Sequence, residues 1–200
     1  MSTALGGSPV VGLLLAAGAG SRMGRPKALV SDDGGPWLPR SVQVLRAGGC
    51  PRVRVVLGAA VSEALPLLDG LEGGDVEVVE AHDWADGMAA SLAAGLRSLA
   101  DDETAGAALV HLVDLPDVGP EVVARLVAGA GPSSLARAAY GGRPGHPVLL
   151  GRDHWSGVLA GLEGDEGARA YLVAHGARVV ECGDLATGHD VDRPPGDVAP

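Results

Sequence analysis

Apolar runs and amphipathic stretches alternate along most of the chain. Val10–Ala16 is a continuous apolar run, and Val53–Gly58, Val76–Glu80 and Ala107–Val113 are valine-rich segments interrupted by Arg54, Glu77 and His111. Short runs of this kind suit strands covered on both faces, where neither face needs a polar side. Between them, Leu38–Ala47, Ser62–Leu68, Asp86–Leu99 and Pro120–Ala128 carry apolar residues at helical spacing. Met88, Leu92, Leu96 and Leu99 share one face of the third of these and are expected in the core. Strand then helix, four times over, predicts a three-layer α/β/α sandwich: a mainly parallel sheet with helices on both faces. The C-terminal third breaks the rhythm. Leu135–Tyr140 and His146–Leu150 are expected to pair as antiparallel strands around a turn over Gly141–Gly145, and a helix over Glu166–His175 leads to a strand at Arg178–Cys182. One domain over 1–200 is expected, frayed at 1–8 and at 193–200, where Pro194 and Pro195 cannot continue a ladder.

Composition narrows the core and the partners. Phe is absent and only three Trp and two Tyr occur in 200 residues, so Val, Leu and Ala must fill the interior. A net charge of −10 argues against nucleic acid or an anionic membrane as partner. Cys50 and Cys182 form no metal-ligand or C-x-x-C pattern, which suits a reducing compartment. The first nine residues lack Lys and Arg, unlike a secretory signal, and no apolar run is long enough to span a bilayer. A cytoplasmic protein is the expectation.

Against this acidic background, positive charge gathers at Arg22, Arg25 and Lys27, in the glycine-rich segment that follows the first strand. Glycines let a backbone approach an anion closely, and successive N–H groups with basic side chains can cradle a polyphosphate. Gly18, Gly20 and Gly24 read G-x-G-x-x-x-G, one residue too long for the dinucleotide fingerprint, and Gly24 is followed by Arg25 rather than by the Lys-Ser or Lys-Thr of a Walker loop. In an open α/β sheet, ligands collect at the carboxyl ends of the strands. The glycine loop, the segment 81–87 and Asp114 all fall there. Asp114, where the fourth strand emerges, is placed to hold Mg²⁺, which takes carboxylate and phosphate oxygens; Asp and Pro at 114–117 equally suit a type I turn. There is no H-E-x-x-H and no G-x-S-x-G, so zinc hydrolysis and a serine nucleophile find no support.

The segment Leu-Ala-Ala-Gly-x-x-x-Arg-Met-Gly-x-x-Lys, from Leu15 to Lys27, resembles the signature loop of nucleotidyltransferases related to MobA and MocA. Further elements follow in the same order: Asp86–Leu92, the Asp-x-Pro turn at Asp114, Arg143–Leu149, Gly164–Arg169, and the acidic segment His189–Pro194. The resemblance is greatest to the MocA-type molybdenum cofactor cytidylyltransferases. It implies a Rossmann-like fold of the nucleotide-diphospho-sugar-transferase kind and Mg²⁺-dependent transfer of CMP from CTP to the terminal phosphate of molybdopterin cofactor.

On that resemblance, Arg22, Lys27 and Asp114 are expected to be catalytic. Leu15, Ala16, Ala17, Gly18, Gly20, Arg22, Lys27, Gly58 and Ser91 are expected around the nucleotide. Asp114 and Asp192 are expected to hold the metal, with Asp190 the alternative to Asp192. Arg143, His146, Asp165 and Arg169 are expected on the acceptor side, Asp165 also suiting a helix N-cap. Leu115, Ala89 and Arg193 depart from the pattern, where relatives have Gln, Ser and Thr. Family members that use GTP, or other phosphorylated small acids, keep those alternatives open. A non-catalytic accessory protein for a molybdenum hydroxylase is the alternative of another class.

Overall fold

The computed structural model describes residues 9–71, 75–164 and 167–192. The expected fraying at 1–8 and 193–200 and the capping role of Asp165 lie outside the described residues. The elements are β1 (Val10–Leu15), a small hairpin β2 (Ser31–Asp32) and β3 (Gly35–Pro36), α1 (Trp37–Ala47), β4 (Arg52–Leu57), α2 (Val61–Ala64), β5 (Val76–Glu80), α3 (Met88–Ser98), β6 (Ala107–Leu112), α4 (Pro120–Val127), β7 (Leu135–Tyr140), β8 (Arg143–Gly151), α5 (Trp155–Ala160), α6 (Arg169–Ala174) and β9 (Arg178–Glu181).

Seven strands form one sheet in the order β5-β4-β1-β6-β8-β7-β9. β1 runs parallel to β4 and β6, β4 to β5, and β7 to β9; β8 alone is antiparallel to both its neighbours. The carboxyl ends of β1, β6 and β7 therefore lie at one edge of the sheet, where β8 begins. The expected mainly parallel α/β sandwich with antiparallel additions is what forms.

The core splits across the sheet, as strands buried on both faces require. On one side Leu14, Val55 and Leu109 pack with Leu38, Val42, Leu45, Val122 and Leu126 from α1 and α4. On the other, Leu13, Val110 and Val148 meet Leu92 and Leu96 of α3, Trp155 of α5 and Leu172 of α6. Neighbouring Leu13 and Leu14 thus serve opposite cores, both with no exposed surface. Each such leucine contributes about 1.5–3 kcal/mol by burial. α3 lies unusually close to the sheet because Gly95 has no Cβ; one built there would stand 2.6 Å from Leu13 Cδ1.

Several local details differ from the pattern-based reading. α3 starts at Met88, because Trp84–Asp86 closes a 3₁₀ turn and Gly87, at φ +108°, takes the N-cap position; Asp86 makes no capping bond. β8 is longer than expected and leaves a two-residue turn, Gly141-Gly142, both at positive φ. α6 begins only at Arg169. α5 and the β2–β3 hairpin carried no clear periodic signal. The hairpin is held by Asp32, whose carboxylate accepts from Gly34 N, Trp37 Nε1 and both terminal nitrogens of Arg40. No helix among the described residues is long and apolar enough to cross a membrane.

Candidate active site at the carboxyl edge of the sheet

β1 hands its chain to the glycine loop at Ala16, whose N–H still donates to Val56 O. The loop then folds back on itself. Met23 N donates to Gly20 O at 2.8 Å and Lys27 N to Gly18 O at 3.2 Å, with the Met23 side chain buried beneath. Gly20 makes this turn possible: its φ is +59°, and a Cβ there would stand 2.0 Å from Arg25 O. At Gly18 a Cβ would meet nothing within 4 Å, so the open space beside its backbone is cleft.

Across the cleft, β6 ends at Leu112 and the chain turns through buried Asp114. The segment after β9 is tied over this turn. Val191 N donates to Asp114 O at 3.0 Å, while Thr187 N, Thr187 Oγ1 and Gly188 N donate to one oxygen of Asp117. This return brings Asp190 and Asp192 to Asp114, with one carboxylate oxygen of each within 4.8 Å of the others.

Lys27 occupies the middle. Its ammonium donates to Asp114 Oδ2 and to Asp192 Oδ1, the latter at 2.9 Å, and Arg22 Nη1 donates to Asp192 Oδ2 at 2.9 Å. Burial opposes the charge on Lys27, but the two carboxylates outweigh it and hold its pKa above the usual lysine value. Asp192 is held below the usual carboxylate value, first by the Lys27 hydrogen bond and against its own desolvation. Asp114 Oδ1 is buried with no hydrogen-bond partner. Three convergent carboxylates, one with an unsatisfied oxygen, form a hard-oxygen donor set that fits Mg²⁺ or Mn²⁺. In the protein alone, Lys27 supplies the positive charge among them.

Two cavities open on this cluster. The larger, about 380 Å³, is lined by Leu15, Ala16, Ala17, Gly18, Lys27, Ser91 and Asp114, together with Ser21, Trp84 and Met88. The second, about 250 Å³, lies over the loop and is lined by Gly18, Gly20, Arg22, Lys27 and Asp192. A third, of about 50 Å³, shares Leu15 and Met88 with the first and brings together His146, Arg169 and Arg137. His146 is a neutral imidazole, its pKa pushed down to about 4 by burial and by Arg137.

The structure places three of the expected residues differently from the rest of the set. Gly58 lines none of these cavities; it lies under Trp84, whose Cγ would be 2.5 Å from a Cβ at that position, so its smallness serves packing. Met88, expected in the core, is half-buried and forms a wall between two cavities. Arg143 is exposed at the start of β8 and lines none of the three. Asp165 lies outside the described residues. Trp84 and Arg137 were missed. Trp84 is one of three tryptophans in an aromatic-poor chain, and Arg137 is a charge within an otherwise apolar strand, so both left a sequence signal.

Comparison with known proteins agrees with this geometry. The MobA-like NTP transferase domain model matches residues 12–179. The chain is 37% identical over 193 residues to nicotine blue oxidoreductase of Paenarthrobacter nicotinovorans, covering 92% of each protein. It is 30% identical over 158 residues to molybdenum cofactor guanylyltransferase of Rhodobacter capsulatus, covering 75% of this chain and 67% of that one. Among solved structures, a nucleotidyl transferase from Methanothermobacter thermautotroptrophicus superposes with a TM-score of 0.78 at 24% identity, over 94% of this chain and 93% of the other, and so speaks for the fold. A manganese complex of Rv0371C from Mycobacterium tuberculosis gives 0.68 at 26% identity, over 92% and 94%. Fold, glycine loop and sequence match together make this chain a member of the MobA-like NTP transferase family.

Proposed function

We propose that the protein transfers CMP from CTP to the terminal phosphate of molybdopterin cofactor and releases pyrophosphate. The observation that carries this reading is the Lys27–Asp114–Asp192 cluster, in which Lys27 and Asp114 line the about 380 Å³ cavity beside the glycine loop and Lys27 and Asp192 line the about 250 Å³ one. An oxygen of the acceptor phosphate forms the new bond to the α-phosphorus, and the α–β bridging P–O bond breaks with its electron pair leaving on pyrophosphate. A phosphate monoester is already anionic at neutral pH, so no side chain need remove a proton.

The loop backbone at Leu15–Gly18 meets base and ribose, with Ser91 beside them. Arg22 and Lys27 grip the triphosphate and neutralise charge that builds on the leaving pyrophosphate. Asp114 and Asp192, with Asp190 adjacent, would hold a divalent cation, Mg²⁺ in this reading. Such an ion supplies Lewis-acid charge neutralisation at phosphate oxygens. For Lys27 to reach the triphosphate it gives up part of its hold on Asp114 and Asp192, whose carboxylates would then be available to hold a cation. His146 and Arg169 line the acceptor side, and Arg143, exposed at the start of β8, is kept as a further acceptor contact.

The Asp114→Asn variant tests the reading by pyrophosphate release with CTP, Mg²⁺ and purified cofactor. A loss of about 10²–10³-fold is expected for removing one preorganised charge; full activity would refute the assignment. The guanylyltransferase relative favours GTP as a second nucleotide. Because the base meets mainly backbone, a panel of four NTPs decides between them. The relative named nicotine blue oxidoreductase favours a second reading, a role other than nucleotidyl transfer. Binding of radiolabelled NTP without pyrophosphate release would select it.

A further inference from the structure

β7 alternates across the sheet. Ala136, Ala138 and Tyr140 belong to the core under α1 and α4, so Leu135, Arg137 and Ala139 face the layer of α3, α5 and α6. At such a position, paired across β8 with apolar Val148, an apolar side chain would be the packing choice. The chain has a guanidinium instead. Its Nε is fully buried without a hydrogen-bond partner, and Arg137 makes no ion pair among the described residues.

The side chain lines the about 50 Å³ cavity together with Arg169 and His146. Arg137 is depressed below the usual arginine value, by its burial first and by the charge of Arg169 second. Both guanidinium groups line one cavity, neither has an ion-pair partner among the described residues, and the imidazole beside them is uncharged. A buried donor left without a partner costs stability, and no described residue accepts from Arg137 Nε. The cavity shares Leu15 and Met88 with the large cleft, so a group lodged in it would lie next to a nucleotide bound there. Its volume would admit a few waters at about 10–15 Å³ each, which is the scale of one compact anionic group.

We propose that Arg137, acting with Arg169 and His146, is the specificity determinant for a compact oxyanion, phosphate or carboxylate, carried by the acceptor. The placement rests on the transferase reading above, in which the acceptor enters beside the nucleotide. Arg137 supplies planar donors that a phosphate or carboxylate accepts, and His146 can donate one further hydrogen bond. An acceptor with a neutral hydroxyl in that place would leave the two guanidinium groups unpaired and be rejected.

Binding is measured by titrating inorganic phosphate and, separately, acetate while following the His146 ring resonances, assigned through His146→Gln. The wild type and Lys27→Ala should respond alike, and Arg137→Met should need at least ten times more anion. An unchanged response in Arg137→Met, or loss of the response in Lys27→Ala, overturns the pocket. Tighter response to phosphate identifies a phosphorylated group as its ligand, and tighter response to acetate a carboxylate. In turnover, Arg137→Met should raise the acceptor KM at least tenfold with the CTP KM unmoved, and Arg137→Lys should fall between. An active variant with unchanged acceptor KM overturns the pocket and leaves the transferase reading intact. Failure of the wild type with every NTP overturns that reading, and the anion titration still decides the pocket. Arg137→Met should also raise Tm, by about 2–4 °C for a chain of this size if one uncompensated charge is relieved, which excludes misfolding as the cause of lost binding.

Discussion

Beside β1 and β6, Lys27 is bracketed by Asp114 and Asp192, and Arg22 adds a second bond to Asp192. Beside β7 and β8, two strands further along the sheet, Arg137 and Arg169 border an adjoining cavity, and neither has an ion-pair partner among the described residues. The first side is balanced, and in the proposed function its charges are redistributed when a cation and a polyphosphate arrive together. The second has no such balance among the described residues and, on the inference above, is completed by the acceptor's anion. Balance matters because a paired ion keeps its neighbours in place before the ligand comes, whereas an unpaired one is satisfied by the ligand itself.

Removing the balance should have the largest effect. Lys27→Ala leaves buried Asp114 without its counter-ion, and pyrophosphate release should fall about 10²–10³-fold. Tm should fall as well, opposite in sign to the rise expected for Arg137→Met; equal signs in a melting experiment would erase the contrast.

Backbone substitutions separate the two sides next. Gly20→Ala forces a Cβ onto Arg25 O at positive φ, and urea denaturation should show a loss of about 2–3 kcal/mol together with weaker nucleotide binding. Gly142→Ala, also at positive φ but facing open space in the β7–β8 turn, should cost about 1 kcal/mol.

Acid should then act on the two sides in different windows. His146 has its pKa lowered to about 4, so between the unfolded value near 6.5 and about 4 the unfolded chain binds the extra proton and stability falls as pH drops. Buried His111, lowered to about 3 by desolvation and by His146 against the pull of Asp117, adds to the same decline and extends it. Asp192 is lowered from 3.8, so its contribution is present above that value and is lost as pH falls through its folded value. Tm against pH should therefore soften from 6.5 down to about 3, with a further loss from Asp192 below 3.8. His146→Gln should reduce the decline between 6.5 and 4 while the His111 share remains, and Asp192→Asn should remove the further loss. A flat profile down to pH 4 would contradict the buried neutral imidazoles.

Smallest of all, Arg143→Ala should change stability by less than about 0.5 kcal/mol, as for an exposed residue without packing. Its acceptor KM should move about twofold at most, against the tenfold expected at Arg137. A larger effect would shift the acceptor's anion from the cavity to Arg143.

The strands β1, β4, β5 and β6 and their covering helices were legible in the sequence because each depends on a local apolar period. The glycine loop was legible because its glycines and basic residues are contiguous. Less was legible beyond β6. α5 is six residues long and lacks a pattern, and the start of α3 turned on Gly87, whose positive φ breaks the run that Asp86 was expected to cap. Met88 fell on the apolar face of α3 and was read as core, although that face ends over a cleft.

Sequence alone determined the layered α/β sandwich, the glycine-rich basic loop and the acidic positions, since hydrophobic periodicity, glycine conformation and side-chain charge are properties of neighbouring residues. Only the tertiary structure decided that Lys27 sits between carboxylates 87 and 165 residues away, that Gly58 is small for the sake of Trp84, and that Arg137 faces a cavity rather than solvent. Those outcomes depend on the order of the strands and on how the segment after β9 returns across their ends, and no local period encodes either.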